Sequence, residues 1–186
     1  ILKCYMNKLS KLDVQKNPKL TDLYCNFNQL KELDVSKNLA LKEFKCNKNQ
    51  IEKLNVSNNK ELTLLDCSNN KLENLDVKAN TKLEKLWCSD NNLTKLDVSE
   101  NTALLHLDCG TNKLKALDVS RCPEIDTLMC YVNELKKLDV SMNKKLEWLS
   151  CFNNQLTELD VSKNSELAKF NANNNPLTSV KLGSND

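Results

Sequence analysis

The chain has 186 residues, 40% of them hydrophobic, and its 27 basic and 25 acidic residues leave a net charge of only +2. This balance excludes the strongly basic surface that binds nucleic acids or acidic membranes. No apolar run is long enough for a transmembrane helix. We therefore expect no nucleic-acid partner and no membrane insertion.

One unit of 21 residues recurs about nine times along the chain, without insertion or deletion. Residues 1–19 form an incomplete first unit. The last unit, residues 167–186, decays, since Ala172, Lys181 and Leu182 replace its expected Cys, Asp and Val. We predict a single repeat array over residues 1–186, and a fragment of a longer chain because it opens inside a repeat. The complete units begin at Leu20, Leu41, Leu62, Leu83, Leu104, Ile125 and Leu146.

Each unit carries six apolar positions, which alternate with polar ones in two places. In the second unit, residues 23–25 alternate and predict a short strand, and residues 33–35 alternate in the same way, so we expect the return half to be extended as well. No apolar stripe of helical period is long enough for a helix. A single coil buries too little apolar surface to fold alone, so the coils must stack and pair their first strands into a parallel sheet.

Polar residues recur at the turns, where glycine is scarce. Two columns of asparagine are expected to satisfy backbone groups at the bends, with Cys122 in place of one asparagine. A column of aspartates is expected to accept turn N–H groups or to pair with lysines. A calcium ladder would need paired carboxylates and glycine-rich turns, so we expect no metal and no cofactor. The aspartate column comprises Asp13, Asp34, Asp76, Asp97, Asp118, Asp139 and Asp160, with Asn55 as its one substitute.

Eight of the nine cysteines occupy one inward position of successive units. On parallel strands in register, neighbouring Cβ atoms point the same way, which is poor geometry for disulfides, and a straight row of thiols does not converge on a zinc ion. We expect reduced, buried thiols that act as small apolar residues. The row comprises Cys4, Cys25, Cys46, Cys67, Cys88, Cys109, Cys130 and Cys151.

The first half of the unit resembles the leucine-rich repeat. The pattern LxxLxCxxNxL places Leu20, Leu23, Cys25, Asn28 and Leu30 at that family's signature positions. The 21-residue length, the cysteine and the LDVSxN second half are most similar to internalin J-like repeats of bacterial surface proteins. The resemblance implies a leucine-rich-repeat solenoid of about nine coils, mostly β, with little or no helix. It also implies a parallel sheet on the concave face, short extended or turn segments on the convex face, and a secreted or cell-surface location.

Outward positions of the first strand and the turn after it carry most of the aromatic residues. In the second unit these positions are Asp22, Tyr24, Asn26 and Phe27. Over nine units they hold seven of the nine aromatics, where chance would place about two, so we interpret them as an exposed binding patch. Aromatic packing that merely stiffens the sheet is the alternative. The candidate residues are Tyr5, Tyr24, Phe27, Trp87, His106, Met129, Tyr131, Trp148 and Phe152.

The main contact is expected toward the end of the array. There Tyr131 and Phe152 occupy the same position on adjacent strands, so their rings should touch. His106 is expected to form a hydrogen bond, and Phe44 and Phe170 should lie in the core. Three aspartates supply a polar centre, and four lysines are available to carboxylates of a partner. These charged residues are Asp66, Asp90 and Asp108, and Lys45, Lys48, Lys85 and Lys169.

No catalytic set is apparent, because the chain has one histidine and two isolated glycines. We expect a non-enzymatic, monomeric module that binds a protein through the concave aromatics. By resemblance it would be a bacterial surface adhesin or host-interaction domain. Two alternatives stay open: binding of carbohydrate, since Trp and Tyr on a shallow face also stack on sugars, and a structural spacer with no ligand of its own.

Overall fold

The computed structural model describes residues 1–183, which form a solenoid of about nine coils with one strand of a parallel sheet in each coil. No helix occurs in this range, so the predicted leucine-rich-repeat architecture is confirmed. The nine-stranded sheet, in the order β1-β2-β3-β4-β5-β6-β7-β8-β10, forms the concave wall. Its strands are β1 (Leu2–Lys3), β2 (Asp22–Tyr24), β3 (Glu43–Lys45), β4 (Leu64–Asp66), β5 (Lys85–Trp87), β6 (His106–Asp108), β7 (Thr127–Met129), β8 (Trp148–Ser150) and β10 (Lys169–Asn171).

Every strand of this sheet pairs with the next at an offset of one repeat, as Leu23 with Phe44 and Phe44 with Leu65. The hydrogen bonds continue into the turn, where Cys25 N donates to Lys45 O at 2.9 Å. Residues 21 apart are therefore neighbours on the concave face, about 4.8 Å from each other. This register decides which side chains meet at the candidate site.

The six apolar positions of each internal coil are buried in one continuous core. Phe44 lies in this core with no exposed surface, as predicted. Phe170 does not, since 37% of it is exposed. Its strand is the last of the concave sheet, so a neighbouring strand covers it on one side only. The sequence places Phe170 at a core position correctly, but packing there lacks the second neighbour.

The first asparagine column lies at the end of the concave strands and joins neighbouring coils. Asn112 Nδ2 donates to the carbonyl oxygens of Cys88 at 3.1 Å, Cys109 at 3.1 Å and Gly110 at 3.2 Å. Its Oδ1 accepts the Leu93 N–H at 2.9 Å. One buried amide thus satisfies four backbone groups in two coils, which gives this column the structural role predicted for it.

The second asparagine column works through its donors. Asn101 Nδ2 donates to Val77 O and Asn80 O, while its Oδ1 is buried without a partner. Cys122 takes the same place in the next coil, where its Sγ lies 3.3 Å from Val98 O. Burial raises the pKa of the Cys122 thiol to about 11. Cys122 is therefore a turn residue, as predicted, and its thiol stays protonated near neutral pH.

All nine cysteines are free thiols, and the eight in the row line the core behind the concave strands. Burial raises the pKa of Cys25 and of Cys151 to about 12. Because the thiolate is the reactive form, these side chains act as small apolar residues and not as nucleophiles.

The return halves of the coils differ from the prediction in their hydrogen bonding. Their side chains alternate as expected, but in residues 1–183 only β9 (Glu158–Asp160) and β11 (Ser179–Lys181) pair as strands there. The coils curve around the sheet, so their convex sides spread apart and backbone ladders are lost. Between the first two coils a side chain bridges this gap, since Gln15 Nε2 donates to Asp34 O at 2.6 Å.

The aspartate column caps the convex turns as predicted. Asp97 Oδ1 accepts the Ser99 N–H at 3.0 Å, and Asp97 Oδ2 lies 3.0 Å from Lys78 Nζ. Hydrogen bonds from Ser99 and then from Lys78 lower the pKa of Asp97 to about 2. The carboxylates are thus held by local donors, which offsets the repulsion between stacked charges.

Candidate functional site

All nine candidate residues lie on outward positions of the concave sheet or of the turn that follows it. Tyr5, Phe27 and Trp148 are exposed, and the others are half-buried. His106 contacts a carboxylate, with 3.5 Å between its Nδ1 and Asp126 Oδ1, which agrees with its predicted hydrogen-bonding role.

The aromatics near the start of the array are covered by the chain's own lysines. The Nζ atoms of Lys3 and Lys45 lie 5.6 Å and 5.1 Å from the centre of the Tyr24 ring, and Lys48 Nζ lies 4.5 Å from that of Phe27. The Tyr24 hydroxyl also donates to Glu43, which is the main reason why its pKa rises to about 12. Lysines over ring faces are attracted by the ring quadrupole, so these groups hold one another in place.

Toward the end of the array, Tyr131 and Phe152 stack as the register predicts. Their ring centres are 5.0 Å apart and the ring planes differ by 3°. We call this pair the aromatic platform. On the neighbouring outward position, Lys169 Nζ lies 4.8 Å above the Trp148 ring. Three of the four lysines that the sequence offered to a partner are thus engaged by rings of this chain.

The aromatic platform depends on Gly110, a residue that the sequence reasoning missed. A Cβ atom at Gly110 would lie within 2.6 Å of Tyr131 Cε1, so the ring lies directly on the glycine backbone. From there the Tyr131 hydroxyl hydrogen-bonds with Ser89, which also bonds to Asp108. The available signal was the spacing, since Ser89, Gly110 and Tyr131 are 21 residues apart.

Trp87 occupies the middle of the sheet between two carboxylates. Its register partners are Asp66 on one side and Asp108 on the other. Burial raises the pKa of both aspartates, so both carboxylates lie where their charge is poorly solvated. In residues 1–183 no cluster of three or more acidic, histidine or cysteine side chains could hold a metal ion. Over the same range no helix is long and apolar enough to cross a membrane.

The turn after each concave strand contains one residue in the left-handed region, at φ between 49° and 56°. Asparagine or aspartate takes this conformation at low cost, and Asn69, Asp90 and Asn153 do so here. Val132 has φ of 50° at the same position, beside the aromatic platform. A β-branched residue in this region is strained.

We expect Val132→Asn to raise the free energy of unfolding by about 1 kcal/mol, because the strain is relieved. Thermal or urea denaturation followed by circular dichroism measures the change. The reciprocal substitution Asn153→Val introduces the same strain one coil away and should lower stability by a similar amount. Equal effects of both substitutions in the same direction would contradict the assignment of strain.

A scan of protein-family models and a search of curated proteins found no match to this chain. Among solved structures, the chain is similar to the functional domain of InlJ from Listeria monocytogenes, which includes a cysteine ladder. The TM-score is 0.92 and the identity 39%, over 97% of this chain and 48% of that one.

Two further structures share the fold at lower identity. A leucine-rich-repeat protein of Leptospira interrogans gives a TM-score of 0.87 at 21% identity, over 98% of this chain and 54% of that one. The internalin InlF of Listeria monocytogenes gives 0.84 at 19%, over 93% and 57%. The chain thus spans about half the length of the proteins that it matches. Its 21-residue coils, its row of eight buried thiols and its agreement with InlJ show that the chain belongs to the leucine-rich-repeat proteins, in the internalin J-like group with a cysteine ladder.

Proposed function

We propose that this array is a non-enzymatic module that binds a protein through the aromatic platform and the adjacent Met129 and Trp148. The observation that carries the proposal is the accumulation of large aromatic side chains on the open concave face, where they contribute nothing to the buried core. Aromatic residues on a rigid surface are the usual anchors of protein interfaces, because they bury much area at little entropic cost. The resemblance to internalin J-like repeats supports a secreted or cell-surface location and a role as a bacterial adhesin or host-interaction domain.

A protein ligand suits this surface better than a carbohydrate. A sugar ring stacks on a flat, open aromatic face. Here Lys45 covers a face of Tyr24, Lys169 covers a face of Trp148, and the two rings of the platform cover each other. Mixed cationic and aromatic contacts of this kind match the side chains of a protein partner.

The test compares the wild-type array with the double variant Trp148→Ala/Phe152→Ala on protein and glycan arrays. A protein bound by the wild type should lose at least about tenfold in affinity for the double variant, as expected when interface anchors are truncated. The matched control is Leu39→Ala/Met142→Ala, which removes two exposed apolar side chains outside the concave sheet. That variant should bind like the wild type.

Three results would overturn the proposal. Binding of glycans alone would favour the carbohydrate alternative. Equal protein binding by the wild type and the concave variant would remove the aromatic platform from the interface. An equal loss in both variants would point to a general surface effect. Circular dichroism spectra of all three proteins verify that the coils remain folded.

A further inference from the structure

The concave face treats Trp87 differently from its other aromatics that have charged neighbours. Tyr24, Phe27 and Trp148 each have a lysine one repeat away in the chain, and that lysine lies over the ring. Trp87 has aspartates at both of these positions, Asp66 and Asp108. In residues 1–183 no cation lies over the Trp87 ring. An aromatic face and two carboxylates thus meet without the cation that both would attract.

Asp66 is held in place but is not neutralised. Its side chain is 91% buried, since only 9% of the residue is exposed, and its Oδ1 accepts the Ser68 N–H at 3.1 Å and the Ser68 hydroxyl at 2.6 Å. Within the described residues, Oδ2 of Asp66 has no hydrogen-bond donor. The nearest register neighbour with a positive charge is Lys45, whose Nζ lies over the Tyr24 ring instead. A buried carboxylate with one free oxygen is costly unless a ligand completes it.

Asp108 is similarly oriented by donors without a positive charge. Its Oδ1 accepts the Gly110 N–H at 3.0 Å, and Ser89 adds a second hydrogen bond. Neither Asp66 nor Asp108 takes part in an ion pair in the described part of the chain. Asp90 adds a third carboxylate nearby, against Lys85 on the same strand as Trp87. The centre of the concave face is therefore negative, unlike its two ends.

We propose that Trp87, Asp66 and Asp108 form a receptor for one basic side chain, a lysine or an arginine, presented by the protein partner. The cation lies against the indole ring, and the two carboxylates accept its N–H groups. Arginine fits this combination best, because its planar guanidinium stacks on an aromatic ring and donates to carboxylates at the same time. The proposal rests on the proposed function only in taking the cation to belong to a protein.

The test uses the blocked peptide Gly-Arg-Gly as a probe and the same peptide with citrulline, an uncharged isostere of arginine, as its control. The two tryptophan indole N–H signals in a ¹⁵N correlation spectrum are assigned with the variant Trp148→Phe. The arginine peptide should shift the Trp87 signal in a saturable way, and citrulline should not. Asp66→Asn/Asp108→Asn should weaken the arginine peptide's association about tenfold or more, because charged hydrogen bonds are lost.

A matched variant separates local from long-range effects of charge. Asp97→Asn/Asp118→Asn removes the same two charges from the convex turns and should leave the affinity for the arginine peptide within about twofold of the wild type. An absent or non-saturable shift, an equal shift with citrulline, or an equal affinity of the Asp66→Asn/Asp108→Asn variant would each overturn the inference. Because asparagine keeps an oxygen acceptor for the Ser68 and Gly110 N–H groups, loss of fold does not confound the result.

This experiment and the array experiment fail independently. The peptide titration reads the Trp87 indole alone, whereas the proposed function is tested at Trp148 and Phe152. Saturable arginine binding with no effect of Trp148→Ala/Phe152→Ala would retain the receptor and reject the aromatic platform as the interface. The opposite pattern would retain the interface and reject the receptor.

Discussion

Asn112→Ala should lower the free energy of unfolding by about 3 kcal/mol or more, because it leaves several buried backbone groups without partners. The substitution removes the donor to the carbonyls of Cys88, Cys109 and Gly110 and the acceptor for the Leu93 N–H. The site is buried in the middle of the array, so water does not readily replace the amide. Urea denaturation followed by far-ultraviolet circular dichroism measures the loss.

The matched control is Asn7→Ala, at the same position of the first coil. Asn7 Nδ2 donates to Cys4 O at 3.1 Å and to Tyr5 O at 3.2 Å, but the side chain is exposed. Water can satisfy those carbonyls, so the cost should stay below about 1 kcal/mol. If both substitutions cost the same, the column would stabilise the fold by turn propensity and not by satisfying buried groups.

Gly110→Ala should destabilise the array by about 1–3 kcal/mol and displace the Tyr131 ring. The glycine is required here for space, since its Cβ would lie within 2.6 Å of Tyr131 Cε1 and its φ is not in the left-handed region. Moving the ring breaks the hydrogen bond to Ser89 and the stack with Phe152. Both changes alter the surface that we propose as the interface. Denaturation measures the energy, and a crystal structure of the variant shows the ring.

A double-mutant cycle isolates this contact. Serine occupies the same outward position in the coil of Ser89, so Tyr131→Ser introduces a residue that the column already accepts. In that background Gly110→Ala should cost less than about 0.5 kcal/mol, because the ring is gone. An undiminished cost of Gly110→Ala there would show that the glycine is needed for the backbone itself.

The repeat made the architecture predictable, whereas the contacts on its surface depended on side-chain directions. A strict 21-residue period with inward Leu, Cys and Asn fixes the stacking, the sheet and the contact between Tyr131 and Phe152. The return strands were expected along the whole array but form only in the last coils, because the spread of the convex side cannot be read from alternation. Phe170 was misplaced because a core position needs neighbours on both sides.

The charged neighbours of the aromatics were visible in the sequence but were not read column by column. Lys45 follows Tyr24 by 21 residues, and Lys169 follows Trp148 by the same distance. The same comparison places Asp66 and Asp108 around Trp87. Position within the repeat therefore identifies outward residues, and the residue one repeat away identifies what they touch. The choice of rotamer that puts a lysine over a ring lies beyond any periodic pattern.

The row of cysteines has a consequence for how the array behaves once it opens. Folded, the thiols are shielded and protonated, so oxidants and other thiols find little to react with. Heating releases all nine at once into flexible chain, where ordinary thiolates form and cross-link at random. In an oxidising medium, thermal melting is therefore expected to become irreversible, and a reductant should restore recovery on cooling. The fold thus guards chemistry that only its loss would set free.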